Sequence, residues 1–312
     1  MENKNDYDAR IAQEEMYWGE FEADANRHGV PWWCDLRRAT KLTKVISGWM
    51  YDPTIEWILR GSYKAKLIEI ASGVKGNALD LGCGAGWLSL ELARRGMRVD
   101  GFEISDTRLN IAREYLRNNV FKEGFGSVNY RIEDINKVSL KKNNYESAVS
   151  WDTLHHIPEI ERVIKEIYES LKPRGYFILY DHIGLSKRNK TVVRILRIPF
   201  AVFSMIRKIL KAMEAKADLN PASDSSGKDI NSPFEDITQG EMVDAIKKFF
   251  EIEMLKTQLC FSGALANELI NLPDMLKYPL LRFFKFIDDV LIMARILKGE
   301  YVFVVARKSG GR

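Results

Sequence analysis

The sequence predicts an α/β fold in which helices cover both faces of a mostly parallel sheet. The first observation is segment 77–91, where a short apolar strand reaches Asp80, passes through glycines at alternate positions and enters a helical pattern. The second is the alternation of strand and helix patterns from residue 75 to residue 184, which is typical of parallel strands joined by crossover helices. Ligands of such sheets lie beyond the carboxyl ends of the strands, so we expect the site there.

The turn after the first predicted strand contains Gly82, Gly84 and Gly86. Glycine permits a tight turn and a close approach of the backbone to a ligand, which a Cβ would prevent. The helix that starts near Trp87 points its free N–H groups and its positive dipole end at this turn, which favours a carboxylate or another polar ligand group. The pattern is G-x-G-x-G and differs from the G-x-G-x-x-G of dinucleotide enzymes.

Acidic residues follow the second and third predicted strands. Glu103 stands at the end of a strand over residues 98–102, where a carboxylate can accept hydrogen bonds from both hydroxyls of a ribose. Asp134 follows a strand-like segment, and its carboxylate could accept from an adenine amino group while Ile135 packs on the ring. The alternative for Asp134 is a loop-capping role. These residues predict a nucleoside site at the same edge as the glycine turn.

Together with the segment 151–157 and the turn 172–175, these features resemble the motifs of class I S-adenosylmethionine-dependent methyltransferases in order and spacing. The resemblance covers residues 75–184 and returns at residues 300–306. It is closest to methyltransferases of bacterial glycan or specialised-metabolite pathways. It implies a Rossmann-like, seven-stranded sheet with an antiparallel last strand. One departure is Glu146, where the family more often has Asp.

The resemblance also implies a cofactor, S-adenosylmethionine, with S-adenosylhomocysteine as the product. Asp80 would support the methionine ammonium directly or through water, the Trp151 carbonyl could accept from the same group, and Glu103 would bind the ribose. The full set of cofactor residues implied is Asp80, Gly82, Gly84, Gly86, Glu103, Ile104, Asp134, Ile135 and Trp151.

Histidines follow the fourth and fifth predicted strands. An acceptor hydroxyl is a poor nucleophile, so a general base helps its methylation, and His has a suitable pKa. In a helix that begins near Asp152, His155 and His156 would point about 100° apart, so we expect at most one at the acceptor. We favour His155 as the base, because His156 is often structural in the resembled family, and we assign His156 a substrate contact.

Three other residues remain candidates for the catalytic role. His182 is the main rival of His155, and Asp181 could orient an imidazole or act as the base itself. Glu235, in a Ser-Pro-Phe-Glu segment, is the third candidate, and its alternative is a helix-entry turn. No metal is expected.

The chain is expected to divide into four parts. Residues 1–75 form a helical cap rich in aromatic residues, 76–184 the cofactor-binding core, 185–238 a basic amphipathic insertion with a flexible loop, and 239–312 the end of the core with a helical insertion at 263–298. Most aromatic residues of the cap should pack it onto the sheet, while Tyr17 and Trp18 are the expected pair at the acceptor. Thr238 and Glu241 have the spacing of a helix-capping box.

The basic insertion has two interpretations. Residues 186–216 carry nine Lys or Arg against one Glu, interleaved with apolar residues. Such a pattern is typical of a helix that contacts a membrane surface or a partner. The alternative is a lid or a homodimer helix with a solvated basic face.

Composition restricts the class of protein. A formal charge of +4 argues against a dedicated nucleic-acid binder, and hydrophobic residues at 46% permit a sizeable core. The three cysteines are far apart and lack metal-ligand spacing, which favours a reduced, cytoplasmic setting. The polar N-terminus predicts no signal peptide, and no spanning helix is expected.

The expected function is methyl transfer from S-adenosylmethionine to a small molecule. The acceptor is expected to be a hydroxyl of a glycan, a lipid-linked sugar or a specialised metabolite. The alternatives are N-methylation of a small amine or of nucleic acid, and a non-catalytic binding protein with the same fold.

Overall fold

The computed structural model describes residues 4–119, 124–186, 189–198, 232–234 and 240–310. A seven-stranded sheet with the strand order β3-β2-β1-β4-β5-β7-β6 forms its centre. The strands are β1 (Asn77–Leu81), β2 (Arg98–Glu103), β3 (Ser127–Ile132), β4 (Tyr145–Trp151), β5 (Leu171–His182), β6 (Glu251–Gln258) and β7 (Tyr301–Arg307). All neighbouring strands are parallel except β7, which runs antiparallel to β5 and β6. The predicted fold and its antiparallel last strand are confirmed.

Helices pack on both faces of this sheet. They are α1 (Lys4–Arg27), α2 (Pro53–Ala71), α3 (Trp87–Arg94), α4 (Asp106–Arg117), α5 (Ile160–Ser170), α6 (residues 189–198), α7 (Gly240–Phe249), α8 (Ser262–Leu269) and α9 (Asp274–Met293). Alternate residues of each strand point to opposite faces. Leu79 and Leu179 therefore join α5 and α7 in one core, whereas Ala78 and Ile178 join α2 and α3 in the other.

Part of the predicted helical cap is not helical. Residues 39–48 form turns, and the helix begins at Pro53. The cause is local, because the buried Asp52 carboxylate accepts from the N–H groups of Thr54 at 3.0 Å and Ile55 at 3.3 Å. An N-cap of this type followed by Pro at the first helical position fixes where the helix starts.

The predicted C-terminal insertion at 263–298 consists of α8, α9 and the turns around them. It packs against α2 and α6 through apolar residues that include Leu59, Leu265, Leu281 and Phe284. No helix in the described ranges is long and apolar enough to cross a membrane. Most of the basic segment 186–216, Thr238 of the proposed capping box, and Glu235 lie outside the described residues.

Glu146 has a structural role at the edge of the sheet opposite the carboxyl ends. Its carboxylate accepts from the Asn77 N–H at 2.6 Å and pairs with Lys172. The departure from the family pattern therefore lies away from the expected site.

The described packing predicts that two leucines contribute very differently to the free energy of unfolding. Leu179→Ala, in the middle of β5 with a fully buried side chain, should lower the free energy of unfolding by about 2–5 kcal/mol. Leu255→Ala, on β6 with 41% exposure, should change it by less than about 0.5 kcal/mol. Urea unfolding followed by circular dichroism measures both, and equal losses would contradict the described packing.

Candidate functional site

A cavity of about 360 Å³ opens at the carboxyl ends of the central strands. Its wall is formed by the turns that follow β1, β2, β3, β4 and β5 and by α1, which crosses this edge. The volume is in the range of small-molecule and cofactor sites. The cavity thus lies at the carboxyl ends of the strands, where the sequence predicted the site.

The glycine turn after β1 lines this cavity through Gly82 and Gly84. Both residues have positive φ, 68° and 54°, which side chains rarely adopt. A Cβ at Gly82 would also overlap the Thr153 side chain, so close approach and conformation both require glycine. Gly86 is different: it begins α3 in the left-handed conformation and does not line the cavity. The cofactor role that the resemblance implies for Gly86 therefore stays a prediction.

Glu103, at the end of β2, is the organising carboxylate on this side of the cavity. Its oxygens accept from the N–H groups of Gly84 at 3.0 Å, Ile104 at 2.9 Å and Ser105 at 3.1 Å. The Arg108 guanidinium lies 3.3 Å from the same carboxylate and 3.5 Å from Glu22 of α1. A buried acid at this point of a nucleotide-binding α/β fold is positioned to accept from a ribose.

Asp134 and its neighbours form the next part of the wall. Ile104, Asp134 and Ile135 line the cavity together, as predicted for an adenine site. The Asp134 carboxylate also accepts from the Tyr7 hydroxyl of α1 at 2.9 Å and from the Asn136 N–H at 2.9 Å. Burial, followed by the neighbouring Asp134, raises the pKa of Tyr7, so this phenol is a donor at neutral pH. Asp134 therefore ties α1 to the sheet as well as capping its own loop.

Asp80 does not reach the cavity. Its side chain is 1% exposed, and its carboxylate accepts from the Ser89 hydroxyl in the first turns of α3 at 2.6 Å. Desolvation by burial raises the pKa of Asp80 to about 7. The carboxylate turns behind the glycine loop toward α3, so a direct contact with a ligand ammonium does not fit this geometry, and the contact through water stays a prediction. Trp151, by contrast, lines the cavity at the end of β4.

His155 and Asp181 form a buried pair at the opposite wall. The Nδ1 atom of His155 lies 2.5 Å from the Asp181 carboxylate, which also accepts from the N–H groups of Thr153, Leu154 and His182. His155 lines the cavity, whereas Asp181 is fully buried behind it. Since Asp181 has these four donors and no access to the cavity, it can orient His155 but cannot act as the base itself.

The two other predicted histidines also line the cavity. His155 and His156 lie in a single 3₁₀ turn, Leu154–His156, with ring centroids 4.1 Å apart. The expectation that at most one of them faces the site is wrong, because the α-helical geometry assumed for it is absent. His156 lies 3.4 Å from Glu14 of α1, and His182 packs on Tyr301.

Aromatic residues of the N-terminal region line the wall nearest α1. Trp18, Phe21, Trp32 and Trp33 face the cavity, and the last two are also largely buried in the core. Cap packing and cavity lining are thus combined in the same side chains. Tyr17 does not line the cavity and packs against the edge of Trp18 at 5.0 Å, since adjacent helical residues point in different directions. Its predicted pocket role is wrong.

Sequence reasoning missed a buried ion network beside the cavity. Arg60 of α2 pairs with Glu56 at 2.9 Å and with Asp152 at 2.5 Å, while Lys64 lies 2.6 Å from Glu56. Arg60 and Asp152 line the cavity. Desolvation lowers the pKa of Lys64 to about 7. A signal was present, because Glu56, Arg60 and Lys64 follow one another at intervals of four and therefore lie on one side of the helix.

Arg108 and Glu22 were also missed. Arg108 lies over Gly84, 5.1 Å from the Trp18 ring, and connects Glu103 with α1 through Glu22. Burial raises the pKa of Glu22, and Arg108 opposes this effect. Neither residue has a sequence signal beyond its charge, because the contact depends on how α1 lies across the sheet.

Comparison with known proteins identifies the class of fold first. The [4+2]-cyclase SpnF has a related structure, with a TM-score of 0.50 and 18% sequence identity over 85% of this chain and 84% of that one. This likeness concerns the fold alone, and SpnF is a cyclase by name. A fold therefore does not define the reaction, which must be argued from the site.

Sequence comparison identifies the family of the central part. Residues 79–179 match the family model described as a methyltransferase domain. A sterol 4-C-methyltransferase of Caenorhabditis elegans is 30% identical over 126 residues, 40% of this chain and 36% of that protein. A ubiquinone biosynthesis O-methyltransferase of Coxiella burnetii is 29% identical over 113 residues, 36% of this chain and 46% of that protein.

The chain thus contains a class I S-adenosylmethionine-dependent methyltransferase domain, and S-adenosylmethionine is the cofactor of that class. The residues present fit this cofactor: two glycines leave room beside the turn where a Cβ would clash, and Glu103 ends β2. The predicted class of methyltransferase and its cofactor are confirmed for residues 79–179, and the pathway stays a prediction. The matches span less than half the length of these curated relatives.

The burial of Asp80 predicts a specific pH dependence of stability. Its pKa is raised from about 4 in the unfolded chain to about 7, so the folded state loses stability as pH rises through this interval. Asp80→Asn removes the titration. The variant should therefore gain stability relative to the wild type between pH 5 and pH 8. Urea midpoints at both pH values measure this, and a constant difference between the two proteins would contradict the raised pKa.

Proposed function

We propose that this protein transfers a methyl group from S-adenosylmethionine to a hydroxyl of a small-molecule acceptor, with His155 as the general base. The observation that carries the proposal is the His155–Asp181 pair, which lies in the wall of the same cavity as the glycine turn and Glu103. A base and a cofactor cradle that share one cavity can bring an acceptor oxygen and a methyl donor together.

The cofactor would lie along the ends of β1, β2 and β3. Glu103 would accept from the ribose hydroxyls, and Ile104, Asp134 and Ile135 would enclose the adenine. Gly82 and Gly84 would lie against the methionine portion, with the Trp151 carbonyl as an acceptor for its ammonium. When bound, S-adenosylmethionine supplies a methyl group already activated by a sulfonium.

Binding of the cofactor would change the hydrogen-bond partners of Arg108. The guanidinium lies beside the carboxylate oxygen of Glu103 that would face a ribose, so ribose hydroxyls would replace Arg108 as donors to that oxygen. Glu22 lies 3.5 Å from Arg108 Nε and can keep the guanidinium paired after the exchange. Arg108 would then remain between α1 and the cofactor, which favours closure of α1 over the site.

His155 performs the proton transfer in this proposal. Asp181 accepts from backbone N–H groups, which favours its ionised form, so the His155 Nδ1 atom donates to it and Nε2 carries the lone pair. Nε2 would take the proton of the acceptor hydroxyl as the oxygen forms its bond to carbon. Asp181 would stabilise the resulting imidazolium, which later releases the proton to solvent.

The aromatic wall supports an acceptor with substantial apolar surface. Trp18, Phe21, Trp32 and Trp33 provide flat apolar faces, and the Arg60–Asp152 pair provides the nearby polar group. This combination suits a lipid-linked sugar or an aromatic metabolite, with its apolar part against the rings. The same wall would exclude water from the reacting atoms.

The cofactor role of Glu103 predicts a loss of affinity. Glu103→Gln removes the negative charge that would accept from the ribose, and hydrogen bonds to charged groups contribute about 1.5–3 kcal/mol. The dissociation constant for S-adenosylhomocysteine should therefore rise at least about tenfold, as measured by calorimetry. Glu114→Gln, an exposed carboxylate on α4, is the matched control and should bind normally. Equal affinities for both variants would exclude the assigned role.

The assignment of His155 as the base predicts a loss of turnover without a loss of cofactor affinity. The acceptor is first identified by testing polyprenyl phenols, polyprenol-linked sugars, free sugars and the corresponding amines for release of S-adenosylhomocysteine. With the hydroxyl compound that reacts, His155→Ala and Asp181→Asn should lower kcat by about 10²–10⁴-fold, because both remove a correctly oriented base. Affinity for S-adenosylhomocysteine should stay within about twofold.

Matched controls separate this mechanism from others. His28→Ala changes an exposed histidine of the segment after α1 and should leave turnover unchanged. If His182→Ala abolishes turnover while His155→Ala does not, the base is misassigned. If only amines are methylated, the proposal of a hydroxyl acceptor fails.

A further inference from the structure

The outward face of α9 is an exposed apolar surface outside the cavity. Its side chains include two methionines and two phenylalanines with 57–81% exposure, and none of them lines the cavity. We call this surface the α9 stripe. Its members are Met275, Leu276, Leu280, Phe283, Phe286, Val290 and Met293.

The helical spacing makes the stripe continuous. At 100° per residue its members cover a sector of about 140°, and Met275 to Met293 extend over about 27 Å. Isolated exposed apolar residues are normal on a protein surface, but a continuous patch of this size marks an interaction site. The stripe therefore requires a partner.

The orientation of α9 is fixed by its opposite side. Leu281 is fully buried there, and the Asp288 carboxylate accepts from the N–H groups of Cys260, Phe261 and Ser262 at 3.0–3.3 Å. A buried carboxylate with three such donors cannot turn to solvent without leaving these N–H groups unsatisfied. Rotation of α9 to bury the stripe against its own chain would break this arrangement.

The charges around the stripe are predominantly positive. Arg282 and Arg295 on and after α9, Lys298, and Lys190 and Arg194 on α6 are exposed. Among the residues that the structure describes, no acidic side chain is paired with any of these five. α6 lies next to α9, because Val192 and Val193 pack in the same apolar cluster as Phe284 and Ile287.

The neighbouring acidic side chains are already neutralised. Asp274 pairs with Lys41 and Lys277, and Asp289 pairs with Lys285. Glu268, on α8 beneath α6, pairs with Arg197. The surface around the stripe therefore carries a positive surplus that only an anionic partner complements.

We propose that the α9 stripe binds the surface of an anionic lipid bilayer. The Phe, Met and Leu side chains enter the interface between headgroups and acyl chains, and the surrounding Arg and Lys contact the lipid phosphates. α9 lies in the plane of the membrane and does not cross it. The binding is independent of methyl transfer, because the stripe and the cavity share no residue.

A second copy of the chain fits this surface less well. A twofold contact through the stripe would place the same basic residues of both copies close together, with no free acidic residue nearby in the described ranges to compensate them. Like charges across an interface oppose association. The dimer is therefore the outcome that the experiment must distinguish from membrane binding.

Sedimentation with vesicles tests the proposal without cofactor or acceptor. The wild type should bind vesicles of phosphatidylglycerol and phosphatidylcholine at low salt, and should bind pure phosphatidylcholine at least about tenfold more weakly. Phe283→Ser with Phe286→Ser should reduce binding to the anionic vesicles at least about tenfold, because two aromatic side chains leave the interface. Arg282→Gln with Arg295→Gln should reduce it severalfold and should weaken its salt dependence.

The controls use exposed residues elsewhere. Val74→Ser, in the loop before β1 with 53% exposure, and Arg38→Gln, in the N-terminal turns, should bind like the wild type. All substituted side chains are exposed, so the thermal transitions should be unchanged. The proposal is overturned if the wild type does not bind anionic vesicles at low salt, or if the double Phe variant binds equally. It is also overturned if sedimentation velocity shows a dimer that the double Phe variant abolishes while vesicle binding persists.

Discussion

The site depends on the buried carboxylate of Asp181. It lies at the end of β5 and accepts from the N–H groups of Thr153 and Leu154 in the turn after β4, so it joins two neighbouring strands at their carboxyl ends. The same carboxylate fixes the His155 ring. In this turn Asp152 has a positive φ of 52°, and three histidines near the turn and the end of β5 line one cavity.

The same physical device recurs around the molecule. Glu103 accepts from backbone N–H groups of the turns after β1 and β2, and Asp288 accepts from those at the start of α8. A carboxylate surrounded by N–H donors is stabilised in its charged form even when buried. Asp80 lacks such a set, because its partner is the Ser89 hydroxyl, and burial raises its pKa.

The strands of the core and the location of the cavity were predictable from the sequence, because strands and glycine turns are encoded by local patterns. Gly82, Gly84, Glu103 and His155 were identified in this way and line the cavity. Tyr17, Gly86 and Asp80 do not line the cavity, since the direction of a residue depends on the exact start of its helix or turn. Arg60 and Arg108 were missed, because their contacts with Asp152 and with Glu22 join residues that lie far apart in the chain.

The sequence by itself determined the class of fold, the glycine turn and the acid at the end of β2. These are local features, set by periodicity and by the conformations that glycine alone adopts without cost. The tertiary structure alone decided which histidine meets Asp181, how α1 closes the cavity through Glu14, Glu22 and Tyr7, and which face of α9 stays outside. These depend on contacts between separate segments of the chain or on the packing of whole helices, which no local pattern specifies.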